Sequence, residues 1–509
     1  MKKLLTLVLA LMLALSMVAF AEEDLDMPWG DEWITLKVSV FDRGTAGNSP
    51  ADDNFYTAWI QENFGDPRHI KIEWVVIPRS EEVSKLNTMM AGGDPADICF
   101  TYTESVWGNF VNQGGVYELT ELLEEYAPTL IEFLGEDILQ AGRLNGGQYA
   151  VNARRVVVAD QGVFVRSDIL EELGLDFPTT TEEFYEMLVA FKEAYPDCIP
   201  YAMASDIDGN GQLVYSFYKS LDKKDVVCIP RAMTEGFEDY VVFMNKLYNE
   251  GLISPDFALN GDSELYAEVS SGKAFCYCYN YDHPIRVSPG IQATLEDNVP
   301  GALLRPIDCF DSVIDGVCYH SLYNPWGLIC FIPTTCQYPE AAVMYLNWLC
   351  EYDTIYFLQN GIEGETYVLD EDGIPTIIDV EGDKHFNSMQ NLDYTLLVNG
   401  TWLDTDEKTM KAQATSYQVH PELYEEMYTI GNSNGWINGY HWETVVEADA
   451  TYGTTLDNYM NEFVTKAIMA PTEEECLEIF YAGVEEYKAM GGDAVMEERL
   501  AAWELAHAE

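Results

Sequence analysis

The chain has 509 residues, is 48% hydrophobic, and carries 86 acidic against 27 basic side chains for a formal charge of −59. That is more than one ordinary hydrophobic core accommodates, so two lobes are expected. A surface of this sign repels phosphate backbones and anionic headgroups, which rules out nucleic acid and leaves neutral or cationic partners; the same acidity also serves solubility.

At the amino terminus Lys2 and Lys3 precede an apolar stretch from Leu4 to Phe20, closed by Ala19-Phe20-Ala21 before Glu22. These are the parts of a cleavable signal peptide over residues 1–21. A membrane span is disfavoured because the run falls short of the usual ~20 residues and acidic residues follow at once. No later segment is apolar enough to cross a bilayer. The first cysteine is Cys99, so a lipid anchor on a signal-peptide cysteine is not expected. The expectation is a secreted, extracellular or periplasmic monomer. The eleven cysteines are an odd set in a chain too large to need staples, and several sit in apolar runs as small hydrophobes. Cys309, Cys318, Cys330 and Cys336 lack the paired spacing of a zinc site.

Further along, Leu36, Val38 and Val40 alternate with Lys37 and Ser39, which predicts a first strand from Leu36 to Phe41, ended by Asp42-Arg43-Gly44. A second strand, Ile70 to Ile77, and a helix from Ser80 to Met90 lead into the turn Ala91-Gly92-Gly93-Asp94-Pro95-Ala96-Asp97-Ile98. Then come Gly114-Gly115-Val116-Tyr117-Glu118-Leu119, Tyr126-Ala127-Pro128, and Asn145-Gly146-Gly147-Gln148-Tyr149-Ala150. Gly162 to Arg166 reads as a strand feeding a short helix that stops at Gly174. Thr179 or Thr180 then caps a longer amphipathic helix whose first turn holds Glu182 and Glu183. Ser271-Gly272-Lys273-Ala274-Phe275, Gly361-Ile362-Glu363-Gly364-Glu365-Thr366-Tyr367, and a helical stretch from Thr465 to Trp503 complete the series. No internal repeat interrupts this alternation of strands and helices, which suits an open α/β sheet.

The pattern R-x-D-x-L-x-x-L-G-L-x-x-P-x-T-x-x-E-F from Arg166 to Phe184, with these landmarks in the same order, resembles the extracellular solute-binding proteins of ABC importers, a family that includes oligosaccharide binders. The resemblance implies an α/β, two-lobe periplasmic-binding-protein-like (type II) fold with a central cleft. By that analogy lobe one spans residues 33–159 and 303–358, and lobe two spans 160–302 and 359–509. It also implies capture of a carbohydrate, an oligosaccharide above all, and its delivery to a partner permease by lobe closure. A peptide or cationic solute on the same fold is the rival ligand class, and a glycoside hydrolase is the rival of a different class.

A sugar site needs flat aromatic platforms flanked by carboxylates, amides and arginines. The aromatic candidates lie in polar or glycine-rich loops: Tyr102 and Trp107, Tyr281, Trp326 in Asn-Pro-Trp-Gly, Trp402, Trp436 and Trp442. Ordinary packing is the alternative for each. The polar candidates are Arg43, Asn54, Asn152 and Arg154, the last in the pair Arg154-Arg155, and Glu363 in its Gly-Ile-Glu-Gly-Glu run. Plain neutralisation of nearby carboxylates is the alternative for the arginines.

Asp206-Ile207-Asp208-Gly209-Asn210-Gly211 places Asp206, Asp208 and Asn210 at alternate positions with glycine sixth, as in the first half of an EF-hand-type calcium loop. The twelfth position, a bidentate glutamate in that motif, is Phe217 here. A structural calcium and an ion-free Asp/Asn/Gly turn both remain open, and no cofactor is otherwise required. There is no G-x-S-x-G, H-E-x-x-H or P-loop, and seven scattered histidines form no constellation, so catalysis is not expected.

Overall fold

The computed structural model describes residues 27–508 apart from 45–46, 206–210, 287–289, 379, 389–390, 418 and 445. The elements that position the site begin with β1 (Ile34–Asp42), α1 (Phe55–Ile60), β2 (Ile70–Pro78), α2 (Glu82–Gly92), β3 (Cys99–Thr101), α3 (Glu104–Asn112) and β4 (Val151–Arg155). Next come β5 (Gln161–Arg166), α4 (Ser167–Leu173), α5 (Thr181–Ala194), β6 (Ile199–Ala202), α6 (Phe237–Asn249), β7 (Ala274–Asn280) and β8 (Leu304–Ile307). The remainder includes β9 (His320–Leu322), β10 (Trp326–Phe331), α7 (Pro339–Trp348), β11 (Val398–Asn399) and β12 (Trp436–Asn438). Three helices follow: α8 (Glu447–Ile468), α9 (Glu473–Tyr487) and α10 (Asp493–Ala506).

Local chemistry explains the starts and stops. The Thr180 hydroxyl accepts the Glu183 N–H at 3.1 Å, while the Glu183 carboxylate reaches back to the Thr179 N–H at 2.7 Å, so α5 begins where a capping pair satisfies its free donors. α4 ends at Gly174, whose φ of +67° is the left-handed conformation that terminates a helix at least cost in glycine.

Two sheets divide the chain. In the first the order is β11-β4-β10-β3, and the parallel pair β1–β2 joins it through the bridge between Val38 and Ile98. Its core gathers Val38, Val40, Phe64, Phe100 and Tyr345 of α7. In the second sheet the order is β8-β5-β7-β6. A separate core packs Val163, Val165, Phe184 and Tyr201 of this sheet side against Phe237 of α6, Phe463 of α8 and Phe480 of α9. Two cores with their own sheets make two lobes. The chain passes between the sheets after β4, again between β8 and β10, and a third time after β11.

The crossings correct the expected boundaries in two places. Residues Leu304–Ile307, assigned from sequence to lobe one, pair antiparallel with β5, Leu304 opposite Arg166, so they belong to the second sheet. Residues Val398–Asn399, assigned to lobe two, pair parallel with β4, Val398 opposite Arg154. The cause is pairing between segments more than a hundred residues apart, which local periodicity does not encode.

All eleven cysteines are free thiols, ten of them buried and Cys318 half-buried, as packing rather than stapling requires. No described helix is long and apolar enough to cross a membrane.

Candidate functional site

The strands of the first sheet deliver their ends to the crossings. β3 runs out at Thr101, whose hydroxyl donates to the buried Glu82 carboxylate at 2.7 Å; the same oxygen accepts the Tyr102 N–H at 2.8 Å. The other Glu82 oxygen takes Arg79 at 2.7 Å. With its backbone pinned in this way, Tyr102 presents its ring, 38% exposed, stacked parallel on Phe41 and lying under the Arg79 guanidinium at 4.9 Å. The Asn399 amide of β11 approaches the Tyr102 hydroxyl at 3.5 Å. Burial pushes the Tyr102 hydroxyl pKa up, against the pull of Arg43, Arg79 and Arg155.

β4 ends with Arg155, whose backbone N–H donates to Pro325 and whose guanidinium lies 4.5 Å from the ring centroid of Tyr323. Tyr323 follows β9 in the second crossing. It is held by its N–H to the Val158 carbonyl of the first crossing at 2.8 Å, and is 38% exposed. Asn280, at the end of β7, donates to the Tyr323 hydroxyl at 3.4 Å. Asp160, at the start of β5, accepts Ser321 at 2.9 Å and Gln161 at 3.2 Å. Burial lowers the Arg155 pKa, with Tyr323, Tyr102 and Asp160 opposing it; burial likewise raises Tyr323, with Asp160 adding to the effect. Two exposed tyrosine faces, two amides, a carboxylate and a guanidinium thus meet where the lobes join. Flat rings flanked by amides, a carboxylate and a guanidinium are the groups that suit the C–H faces and hydroxyls of a polyhydroxylated molecule.

Of the residues singled out from sequence, Tyr102 sits at this site, and Arg43 lies beside it with its fork held by both oxygens of Asp393 at 2.8 and 2.9 Å. Trp326 opens β10, half-buried and edge-on to His441 at 6.3 Å. The others lie elsewhere. Trp107 is fully buried in the core behind α3, and Tyr281 is buried with its hydroxyl 3.1 Å from that of Tyr424. Asn54 caps α1 and bonds the Tyr394 hydroxyl. Asn152 is buried in β4, and Arg154 turns to the Phe133 ring and to main-chain carbonyls of Phe133 and Leu134. Trp402 packs edge-on to Phe133 and Tyr352, Glu363 is exposed and bridges to Tyr367, and Trp442 packs on Tyr440 beside a surface hollow that Arg499 also lines. The backbone of Trp436 pairs with His320; its side chain, like Asp206, Asp208 and Asn210, lies outside the described residues.

Sequence reasoning passed over Asp160, Asn280, Tyr323 and Asn399, and preferred Arg154 to its neighbour. Strand alternation carried a usable signal: residues 154 and 155 must face opposite sides of the sheet. Tyr323 directly precedes the Asn-Pro-Trp-Gly run and Asn280 directly precedes Tyr281, both of which the sequence singles out.

Two sheets with separate cores, joined by repeated crossings, make a two-lobed α/β fold with an aromatic and polar cluster where the chain crosses over. The sequence model of the bacterial extracellular solute-binding protein family matches residues 46–274, in agreement with the resemblance drawn from the landmarks. The lipoprotein LipO of Bacillus subtilis is 26% identical over 482 residues, covering 88% of this chain and 89% of that protein. Among solved structures, the alginate-binding protein AlgQ2 without calcium ion superposes with a TM-score of 0.61 at 19% identity, over 93% of this chain and 98% of that one. An EF-hand mutant of the Streptococcus pneumoniae substrate-binding protein FusA, in complex with fructo-nystose, gives 0.61 at 15% identity, over 94% and 100%.

Proposed function

We propose that the protein is an exported solute-binding component of an ABC importer that captures an oligosaccharide in the cleft between its lobes and hands it to a permease unchanged. The observation that carries this reading is the meeting of Tyr102, Arg155 and Asn399 with Asp160, Asn280 and Tyr323 at the crossings. The two rings supply platforms for sugar C–H faces, and the amides and carboxylate suit hydroxyl rims. Support comes also from the family match and from structural relatives that include an alginate-binding protein and a substrate-binding protein in complex with fructo-nystose. Lobe one then comprises β1 to β4 with β10 to β11, and lobe two β5 to β8 with α8 to α10. Ligand bridging the two halves stabilises the closed form, which the permease recognises; the protein acts as a monomer.

A structural calcium held by Asp206, Asp208 and Asn210 fits this reading, since AlgQ2 was solved in a form without calcium ion and FusA as an EF-hand mutant. Oxygen donors at alternate positions suit that ion, and Phe217 at the twelfth position makes the site weaker than a full EF-hand.

The test is a glycan and peptide panel read by thermal shift. Oligosaccharide at a hundredfold excess over Kd stabilises the fold by about 2.7 kcal/mol. Tyr102→Ala and Tyr323→Ala each weaken binding about tenfold or more while the unliganded melting temperature stays close to wild type. Binding of peptides alone, or recovery of a cleaved sugar by NMR, would overturn the proposal.

A further inference from the structure

Arginine is scarce in this chain, and its arginines are usually neutralised. Arg43 is paired with Asp393, Arg79 with Glu82, Arg166 with Asp168 and Arg499 with Asp449. Arg154, which has no carboxylate partner among the described residues, uses main-chain carbonyls. Arg155 differs from all of these. Among the described residues no carboxylate lies within 4.0 Å of it, no carbonyl or side chain accepts from its guanidinium, and its Nε is buried without an acceptor. The nearby carboxylate, Asp160, is already taken up with Ser321 and Gln161.

A partly buried guanidinium stacked on one face by Tyr323 has lost water without gaining an anion, which is costly. In a sequence with 86 acidic residues the lack of a partner at this one cleft position is not a shortage of carboxylates. The planar fork is suited to a carboxylate delivered in its plane, with the Tyr323 ring covering its face. Resting on the carbohydrate reading above, we infer that the ligand is a carboxylate-bearing oligosaccharide, with a uronate carboxylate docked on Arg155 and its ring near the Tyr102 and Tyr323 platforms.

The overall charge of −59 opposes an anionic ligand at long range, contrary to the neutral or cationic partners expected from composition. That field is screened over about 8 Å at physiological ionic strength, whereas a contact at a partly buried arginine is screened much less. A distinctive salt dependence follows: association with the acidic sugar speeds up as salt rises, and association with a neutral sugar does not.

Titration calorimetry on the full chain tests this with oligogalacturonates, oligoalginates and glucuronate-bearing oligosaccharides, each beside its methyl ester, and with neutral gluco-, manno- and fructo-oligosaccharides. The expected result is that at least one acidic member binds about 30-fold or more tighter than its ester. Arg155→Gln removes that preference, Arg155→Lys keeps part of it, and stopped-flow association shows the salt acceleration. The acid-to-ester comparison needs only wild-type protein, so a variant that fails to fold leaves the test intact. Equal affinity for acid and ester, or binding confined to neutral sugars, overturns the inference and leaves the carbohydrate reading standing. Failure of every oligosaccharide to bind overturns both.

Discussion

Trp107 and Tyr102 lie five residues apart and have opposite surroundings. Trp107 points inward from α3 with Phe110 and Val111 into a closed core, while Tyr102 stands at the strand end where the sheet stops and its ring stays open. Arg154 and Arg155 are both half-buried but turn to different partners, Arg154 to Phe133 and main-chain carbonyls and Arg155 to Tyr323. His283 is a third polar residue whose surroundings decide its chemistry. Its Nδ1 meets the Tyr277 hydroxyl at 3.1 Å, its ring lies tilted against Tyr279 with centroids 4.1 Å apart, and burial, aided by Arg286, lowers its pKa to about 3. In an unfolded chain the same group titrates near 6.5. Because the folded value is the lower one, the native state is favoured fully above pH ~6.5, and that stability is lost progressively as pH falls from ~6.5 toward about 3. Urea midpoints measured from pH 7 to pH 4 should therefore fall less steeply in His283→Gln than in wild type. Parallel curves would show that the histidine is not held neutral.

Among the elements, caps and inter-helix clamps account for residues that sequence alone left ambiguous. Asn54 was a ligand candidate, yet its side-chain oxygen accepts the Tyr56 and Thr57 N–H groups and its amide reaches Tyr394, so it starts α1 and ties it to a segment 340 residues away. Asn54→Ala should cost about 1–2 kcal/mol in denaturant unfolding and leave oligosaccharide affinity within twofold of wild type. A loss of affinity without a loss of stability would return Asn54 to the binding site. Asn245 of α6 does the equivalent job at the other end of the chain, donating to the carbonyls of Ile468 at 2.9 Å and Ala470 at 2.7 Å where α8 ends. This clamp holds the carboxy-terminal helices on the second lobe.

In the whole molecule, the loop after β12 connects the two halves a further time. Tyr440 packs against Trp503 of α10 on one side, while His441 meets Glu104 of α3 at 2.7 Å and the Arg143 carbonyl at 2.9 Å on the other. The Asn145 N–H donates to the Glu443 carbonyl at 2.9 Å. Burial pulls the His441 pKa down, but the hydrogen bond and charge of Glu104, the Arg143 carbonyl and Glu443 outweigh it, and the net direction is upward. The Arg143 side chain is itself turned to Glu136. With the folded value above the unfolded one, the contact stabilises fully below pH ~6.5 and is lost as pH rises through the folded value. Melting temperatures of wild type should fall relative to those of His441→Gln between pH 6 and pH 8.5, with Glu104→Gln behaving like the histidine variant. A constant difference across that range would remove the charged pair as the cause.

Spacing along the chain was enough to read the strand alternation of Leu36, Val38 and Val40, a threonine cap at 179 or 180, the stop at Gly174, and the order of landmarks that points to two α/β lobes. Those features are local: each depends on neighbours within one or two turns of backbone, where periodicity and capping chemistry act. Sheet membership and the clustering of the candidate site depended on contacts between distant segments: Leu304 opposite Arg166, Val398 opposite Arg154, Tyr323 against Arg155. Which face of a strand meets a cleft is settled by the partner that covers the other face, and that partner comes from pairing across long loops that no short window of residues specifies.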